Sequence, residues 1–435
     1  MSVFASDRFC PRTLFWYALA VLHTSAMASN APLPDPLQLA DVTAIALSER
    51  AEVSAANARA EALAQRQAIV GALEDPMVSP SIDHYPFDMM EEENAMGEAG
   101  GGPRYDWSIS IEQRFPLSGI RGHRRTVARA DADRAQAMAN STGLDVVLEA
   151  QRSFFMLLER RRMQRVLEEQ AGLAQQLVSV SSSRYSNGIS GQADVLRAEV
   201  EVARVQAAHL ALAAQIRAAE AMLNASIGRA PQDAVPALQH AVRREQPLPV
   251  ETVIERALLS RPELLAGSAE IERAAAELEV MRSMYKPMAM VRVGRATTMA
   301  EGPGAMIMVG ISLPIWRDSL RAGVAEARAM QRMADADLNA MRRMVEGEAM
   351  AAREMVSAAL TQLQVLDDEV IPRAHAAIDA ALASYSSGQG TLVSVVETAR
   401  SLWDVQAEHV MAEAVLGEAW ARLERATGRI QRGRP

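Results

Sequence analysis

Apolar positions along the chain follow two periods. Long stretches repeat every three to four residues, as helices require, and short ones alternate strictly, as strands require. The helical pattern is sharpest in two stretches. Val195, Val202, His209, Ile216 and Leu223 fall seven apart, and so do Val395, Leu402, His409, Leu416 and Leu423. Three residues on lie Ala198, Val205, Leu212 and Ala219, matched by Thr398, Val405, Ala412 and Ala419. This spacing predicts coiled-coil seams with enough small residues for close approach, and two helices packed side by side.

The shared phase exposes a duplication. Tyr185-Ser186-Asn187-Gly188 is echoed by Tyr385-Ser386-Ser387-Gly388, and Gly228-Arg229 by Gly428-Arg429. Phe115-Pro116-Leu117 pairs with Leu313-Pro314-Ile315, and Pro76-Met77 with Pro287-Met288. The offsets place an insertion between Pro76 and Pro116. The chain reads as two repeats, 29–230 and 251–430, joined by a Pro-containing linker, 231–250, and followed by a tail, 431–435. Each repeat predicts one helix (38–74 and 251–285), then two strands within 76–116 and within 287–315. A very long helical stretch follows (118–183 and 317–383), then a break at Tyr-x-x-Gly and a last helix ending at Gly228 or Gly428. Such a stretch is about 100 Å long. Gly172 and Pro372 sit at equivalent places, where a kink or break is expected.

In the predicted strands one face is apolar and the other polar or thioether. Trp107, Ile109, Ile111 and Phe115 alternate with Ser108, Ser110, Glu112 and Arg114. Ala289, Val291 and Val293 alternate with Met288, Met290 and Arg292. Ala305, Ile307, Val309, Ile311 and Leu313 alternate with Met306, Met308, Gly310 and Ser312. Runs of about 9–11 residues with this pattern suit the wall of a transmembrane β-barrel, but four strands are too few to close one. Oligomerisation has to supply the rest. The competing reading is a small soluble sheet packed on the helices.

Composition and charge narrow the classes. The chain has 435 residues, of which only 4% are aromatic, a balance that favours long helices over large globular cores. A net charge of −9 and a single lysine, Lys286, argue against a nucleic-acid partner. Residues 1–28 read as a secretory signal, with Arg8 and Arg12, an apolar run from Leu14 to Leu22, and Ala26-Met27-Ala28 before the cut. Cys10, the only cysteine, lies inside that signal, so the mature chain has no disulfide and no thiolate site. No later stretch is long and apolar enough for a membrane helix, so any membrane part must be made of strands. No HExxH, GxSxG or phosphate-loop motif is present, and no enzyme activity or cofactor is expected.

Arg184-Tyr185-x-x-Gly188-x-x-x-x-Ala193-Asp194-Val195-Leu196, its echo from Tyr385 to Glu397, the tandem repeat and Glu112-Gln113-Arg114-Phe115-Pro116-Leu117-Ser118-Gly119 together resemble the outer-membrane factors of the TolC-like efflux family. The resemblance covers nearly all of the mature sequence. It implies a mostly α fold with a small β part: a homotrimer whose three sets of four strands form one 12-stranded barrel, continuous with a long α-helical coiled-coil barrel. It places the chain in the outer membrane of a Gram-negative bacterium, mostly in the periplasm. The implied partners are a periplasmic adaptor, an inner-membrane pump of the RND type and outer-membrane lipid. Adaptor hairpins would dock at the tip turns, Arg184, Tyr185, Gly188, Tyr385 and Gly388. Family members often carry carboxylates just inside the tip. Ser394 stands where one is expected, with Glu397 a turn later and Asp194 in the first repeat as the other gate candidates.

The segment from Gln113 to Arg125 resembles the heavy-metal (CusC/CzcC-like) branch, and the chain has 24 methionines. Met77, Met288, Met290, Met306 and Met308 share the non-lipid strand face, and Met89, Met90, Met96 and Met299 fall in the hairpins. Thioethers favour Cu(I) or Ag(I), with Co, Zn or Cd as the other metal cargoes of that branch. The methionines along the helices, from Met330 to Met355, read as packing. His209 and His409 read as seam-edge histidines bonded to a neighbouring helix. The alternatives are a duct for organic drugs or secreted proteins, and, in another class, a soluble periplasmic coiled-coil scaffold.

Overall fold

A computed structural model of the protein describes residues 32–83, 105–298 and 301–429. The signal segment, Met89, Met90, Met96, Met299 and the tail lie outside the described residues. The chain runs β1 (Leu37–Gln38), α1 (Leu39–Glu49), α2 (Ala51–Gly71), β2 (Met77–Asp83), β3 (Asp106–Pro116), α3 (Ile120–Ser186) and α4 (Gln192–Ser226). The second half repeats the order with β4 (Leu238–Gln239), α5 (Val250–Ser260), α6 (Pro262–Ser283), β5 (Met288–Thr298), β6 (Gly302–Ser312), α7 (Arg317–Val365), a π-turn (Leu366–Val370), α8 (Ile371–Ser386) and α9 (Leu392–Ala426). Among the described residues no helix is long and apolar enough to cross a membrane.

The first helix of each repeat, expected whole, is broken in two. Arg50 and Arg261 are extended, and Pro262 follows the second, which disfavours a helical Arg261. Each arginine then serves as a clamp. Arg50 pairs with Glu52 and Glu149 and donates to the Ala225 carbonyl at the end of α4. Arg261 pairs with Glu263 and Glu348 and donates to the Ala426 carbonyl at the end of α9. Two equivalent breaks thus satisfy carbonyls that a helix end leaves open.

The long stretches differ from expectation in one half only. α3 runs unbroken for 67 residues through Gly172, since one glycine costs a helix only about 1 kcal/mol. Pro372 does interrupt its stretch: the lost N–H and the ring's clash are absorbed by the π-turn just before it. The heptad positions are buried or half-buried as predicted, apart from His209, but α4 and α9 do not pack backbone to backbone along their length and meet through side chains near the tip. Both pack on α3, and α9 also packs on α7 and α8. The short connection after α3 makes α3 and α4 antiparallel neighbours, and that contact uses α4's seam.

The 231–250 linker is fixed in place. β4 pairs in parallel with β1, and Arg161 donates to the carbonyls of Val235 and Pro236. With α1 and α5 it makes a belt around the middle of the long helices. One core lies under the belt on each repeat, around Phe154, Leu157 and Leu223 and around Val345, Val356 and Leu416, and a third lies near the tip around Leu177, Tyr385 and Leu402.

The other four strands form one antiparallel sheet in the order β2-β3-β5-β6, and among the described residues β2 and β6 are open edges. Among the described residues no helix covers its apolar face: Ile307, Val309 and Ile311 are 76, 68 and 62% exposed. A soluble sheet would have to bury that face, so the fold opposes that reading.

Candidate functional site

The strand register fixes what shares the sheet's second face. Opposed residues in an antiparallel pair point the same way. Met77, Glu112, Arg292 and Met308 therefore form one row across all four strands. The next row holds Arg114, Met290 and Gly310, and the one beyond it Pro116, Met288 and Ser312. On the other side of the Glu112 row stand Ser79, Ser110, Gly294 and Met306. All five strand methionines thus lie on the polar face. Glu112 is buried at its centre and binds both Arg114, at 3.1 Å, and Arg292, at 2.5 Å. Two guanidinium groups against one carboxylate leave this part of the face net positive.

At the opposite end, α3 and α8 each stop at a glycine with left-handed backbone, Gly188 (φ 72°) and Gly388 (φ 84°), the conformation that closes a helix at low cost only for glycine. The two tyrosines of the turns are not equivalent. Tyr385 is buried, while Tyr185 is half exposed. Arg184 explains the difference: its guanidinium lies 4.6 Å from the centre of the Tyr385 ring and donates to the Tyr385 carbonyl at 2.7 Å. Position 384, the repeat counterpart of Arg184, is Ser384. Burial, with the Asp194 carboxylate nearby, pushes the Tyr385 phenol up from its ordinary value. Its hydroxyl, Ser190 Oγ and Arg184 Nε are buried with no hydrogen-bond partner among the described residues.

The gate candidates lie just above. Asp194 is in the first turn of α4, with Arg197 at 4.0 Å. Ser394 gives its amide to the Thr391 cap of α9, and Glu397 is exposed one turn on. Glu397 shares a cleft of about 410 Å³ with Leu196, Arg197, Glu201, Arg204 and Arg400. Within it Glu201 is buried and binds Arg400 of α9, with Arg204 at 3.5 Å. The sequence reading missed this pair. Comparing the repeats points to the region: Arg197 and Arg204 stand where the second repeat has Glu397 and Asp404, so the charges are inverted between the halves.

The two heptad histidines separate. His409 hydrogen-bonds Asp367 of the π-turn at 2.8 Å, and Arg244 of the linker holds the same carboxylate at 2.5 Å. His209 is exposed, and the position equivalent to Asp367 in the first repeat is Leu167, which offers it no carboxylate. Among the described residues no three His, Cys, Asp or Glu side chains are grouped as a metal site.

A four-stranded sheet with two open edges, one lipid-like and one polar face, on a shaft of helices about 100 Å long defines a membrane channel subunit that needs copies of itself to close. The outer membrane efflux protein family matches residues 42–229 and 253–429, and the chain belongs to that family. It is an outer-membrane channel of Gram-negative bacteria with a periplasmic helical tunnel, not an enzyme, and the family works as trimers in tripartite efflux systems. The chain is 25% identical over 315 residues to the cobalt-zinc-cadmium resistance protein CzcC of Cupriavidus metallidurans, covering 72% of this chain and 75% of that one. It is 22% identical over 409 residues to the pyoverdine export outer membrane protein OpmQ of Pseudomonas putida, covering 90% and 86%. In fold it is similar to CusC (TM-score 0.77, 14% identity, 90% and 92% covered) and to the outer-membrane channel OprN (0.75, 17%, 90% and 89%).

Proposed function

We propose that this chain is the exit duct of a heavy-metal efflux system, with Cu(I) and Ag(I) the foremost cargoes and Co, Zn and Cd the others. The observation that carries this reading is the confinement of Met77, Met288, Met290, Met306 and Met308 to the polar strand face, where lipid packing cannot account for them. The similarity to CzcC supports metal export in general. Residues 1–28 are the signal, and the two repeats, 29–230 and 251–430, build one protomer of a homotrimer. An inner-membrane RND pump drives transport, and a periplasmic adaptor docks at Arg184, Tyr185, Gly188, Tyr385 and Gly388. Asp194, Ser394 and Glu397 border the closed aperture, and untwisting α4 and α9 opens it.

One observation favours a second reading, an exit duct for an organic chelator: the net positive charge around Glu112 suits an anion, and OpmQ exports pyoverdine. Growth of a deletion strain, with and without complementation, separates the two. Sensitivity to copper and silver salts is the expected result; sensitivity to zinc, cobalt and cadmium keeps metal export and demotes the strand thioethers. Sensitivity confined to organic compounds overturns the metal assignment.

A further inference from the structure

α7 already has a complete packing seam. Ala327, Ala334, Leu338, Val345, Ala349 and Val356 are buried and fall seven or four apart. The methionines of this helix are not part of it. Met330, Met333, Met344 and Met355 are 46, 50, 51 and 49% exposed, and Met341 is only partly buried at the seam's edge. Within one protomer the packing role that the sequence alone gives them holds for Met341 only.

Their spacing is regular. Met330 and Met333 form one Met-x-x-Met pair and Met341 and Met344 another, eleven residues on, with Met355 eleven residues beyond Met344. Eleven residues are just over three helical turns, so the five share one narrow stripe, with about 16 Å between the pairs. Exposed Asp337 lies on the same stripe between the pairs. The belt packs elsewhere on the helix. Arg353 donates to the Leu248 carbonyl, and Val253 and Ala257 join the core of Ala349 and Val356. At 100° per residue that contact lies about 120° around the helix from the methionines. The stripe is therefore turned away from the belt.

α6 extends the series. Met281 Sδ lies 3.4 Å from the point a Cβ on Gly323 would occupy, so the sulfur rests on the α7 backbone near the top of the stripe. Met281 and exposed Met284 make a third Met-x-x-Met pair, just before Met288 and Met290 of β5.

Residues three apart on a helix have Cβ atoms about 5–6 Å from each other, close enough for two flexible thioethers to converge on one ion. Two neutral sulfurs suit a soft monovalent cation and offer little to Zn(II) or Co(II). We propose that each Met-x-x-Met pair of α7 is a weak station for Cu(I) or Ag(I) on the tunnel wall, continuing the strand methionines toward the belt. Few ligands per station keep each ion exchangeable, as passage requires. The use of the stations in the cell rests on the metal-duct reading; their chemistry does not.

Silver(I) is the probe, applied to the purified full-length trimer in detergent, with bound metal measured after equilibrium dialysis and its neighbours read by silver X-ray absorption. The test variant is M330L/M333L/M341L/M344L, which nearly conserves volume. The control, M138L/M222L/M350L/M411L, removes the same number of exposed methionines elsewhere. Sulfur-coordinated silver is expected in the wild type, with a loss of about two ions per protomer in the test variant, one for each thioether pair, and none in the control. Equal loading of both variants, or silver without sulfur neighbours, overturns the stations. A deletion strain indifferent to every metal salt overturns the export reading and leaves the silver result standing. Unchanged silver binding beside a metal-sensitive deletion strain does the reverse.

Discussion

Glu201 of α4 is buried against Arg400 of α9, and this ion pair ties together two helices that both pack on α3. Arg400 is itself part-exposed, so the pair's net worth is modest, but removing only one partner is costly. Arg400→Ala leaves a buried carboxylate with only Arg204 at 3.5 Å. A loss on the order of 1–3 kcal/mol is expected, with higher resting conductance of the trimer in lipid bilayers. Glu201→Gln/Arg400→Gln should leak less than Arg400→Ala, because no charge is stranded. A double variant as leaky as the single one would show that the lost tie and not the stranded charge opens the aperture, and an Arg400→Ala trimer no leakier than wild type would show that the pair does not hold it.

At the tip, the Tyr385 ring matters more than its hydroxyl. Tyr385→Phe removes a buried hydroxyl that lies beside Ser190 and Arg184 without a well-aligned hydrogen bond, so stability should change by less than about 1 kcal/mol. Arg184→Ala takes away the ring contact and the bond to the Tyr385 carbonyl together, and should cost about 1–2 kcal/mol. Limited proteolysis at the turns reads both. Faster cleavage of the Phe variant than of the Ala variant would reverse this assignment.

Much of this architecture is legible in the sequence because it rests on local periodicity. The alternation in β3, β5 and β6 gives each strand its two faces, and the paired glycines give the turns. The break at Arg261 has a local sign in Pro262, but the clamps at Arg50 and Arg261 are not legible, because the carbonyls and carboxylates that hold those arginines are 87 to 175 residues away on other helices, or two residues ahead in an unremarkable position. Glu201 and Arg400 escape for the same reason: a charge on a coiled coil normally means a solvated face. Pro372 and Gly172 look alike as helix breakers, yet only proline removes a hydrogen bond, and a π-turn precedes Pro372 where α3 is plain helix.

Glu112 neutralises part of the basic row in the sheet. Glu112→Gln leaves Arg114 and Arg292 without a counter-charge and adds one positive charge per protomer at that height. Reconstituted trimers should shift toward anion selectivity, seen as a displaced reversal potential in a salt gradient. Arg292→Gln should move it the other way. Identical reversal potentials would mean that these side chains do not line the conducting path.

Two carboxylates under the belt give opposite dependences on pH. Glu424 is pushed up to about 7, chiefly by burial, although Arg243 at 3.7 Å and Gln151 favour its charge. Between the ordinary carboxylate range and pH 7 the folded chain holds a proton that the unfolded chain has released, so this group's contribution falls as pH rises through that window. Glu263 is buried too, but its own backbone amide, Arg425, Ser141 and Arg261 outweigh burial and hold it at about 2. Its contribution is complete above the ordinary carboxylate range and is lost as pH falls toward 2. Each is worth roughly 3 kcal/mol at most. Thermal unfolding of the helices, followed by circular dichroism, should therefore show Glu424→Gln more stable than wild type at pH 8 and closely similar at pH 4, where Glu424 is already protonated. Glu263→Gln should be less stable at pH 8, with the difference shrinking in acid. A Glu424→Gln variant that loses stability at pH 8 would mean that the Arg243 pair outweighs the burial of the charge, and the direction assigned to Glu424 would be wrong.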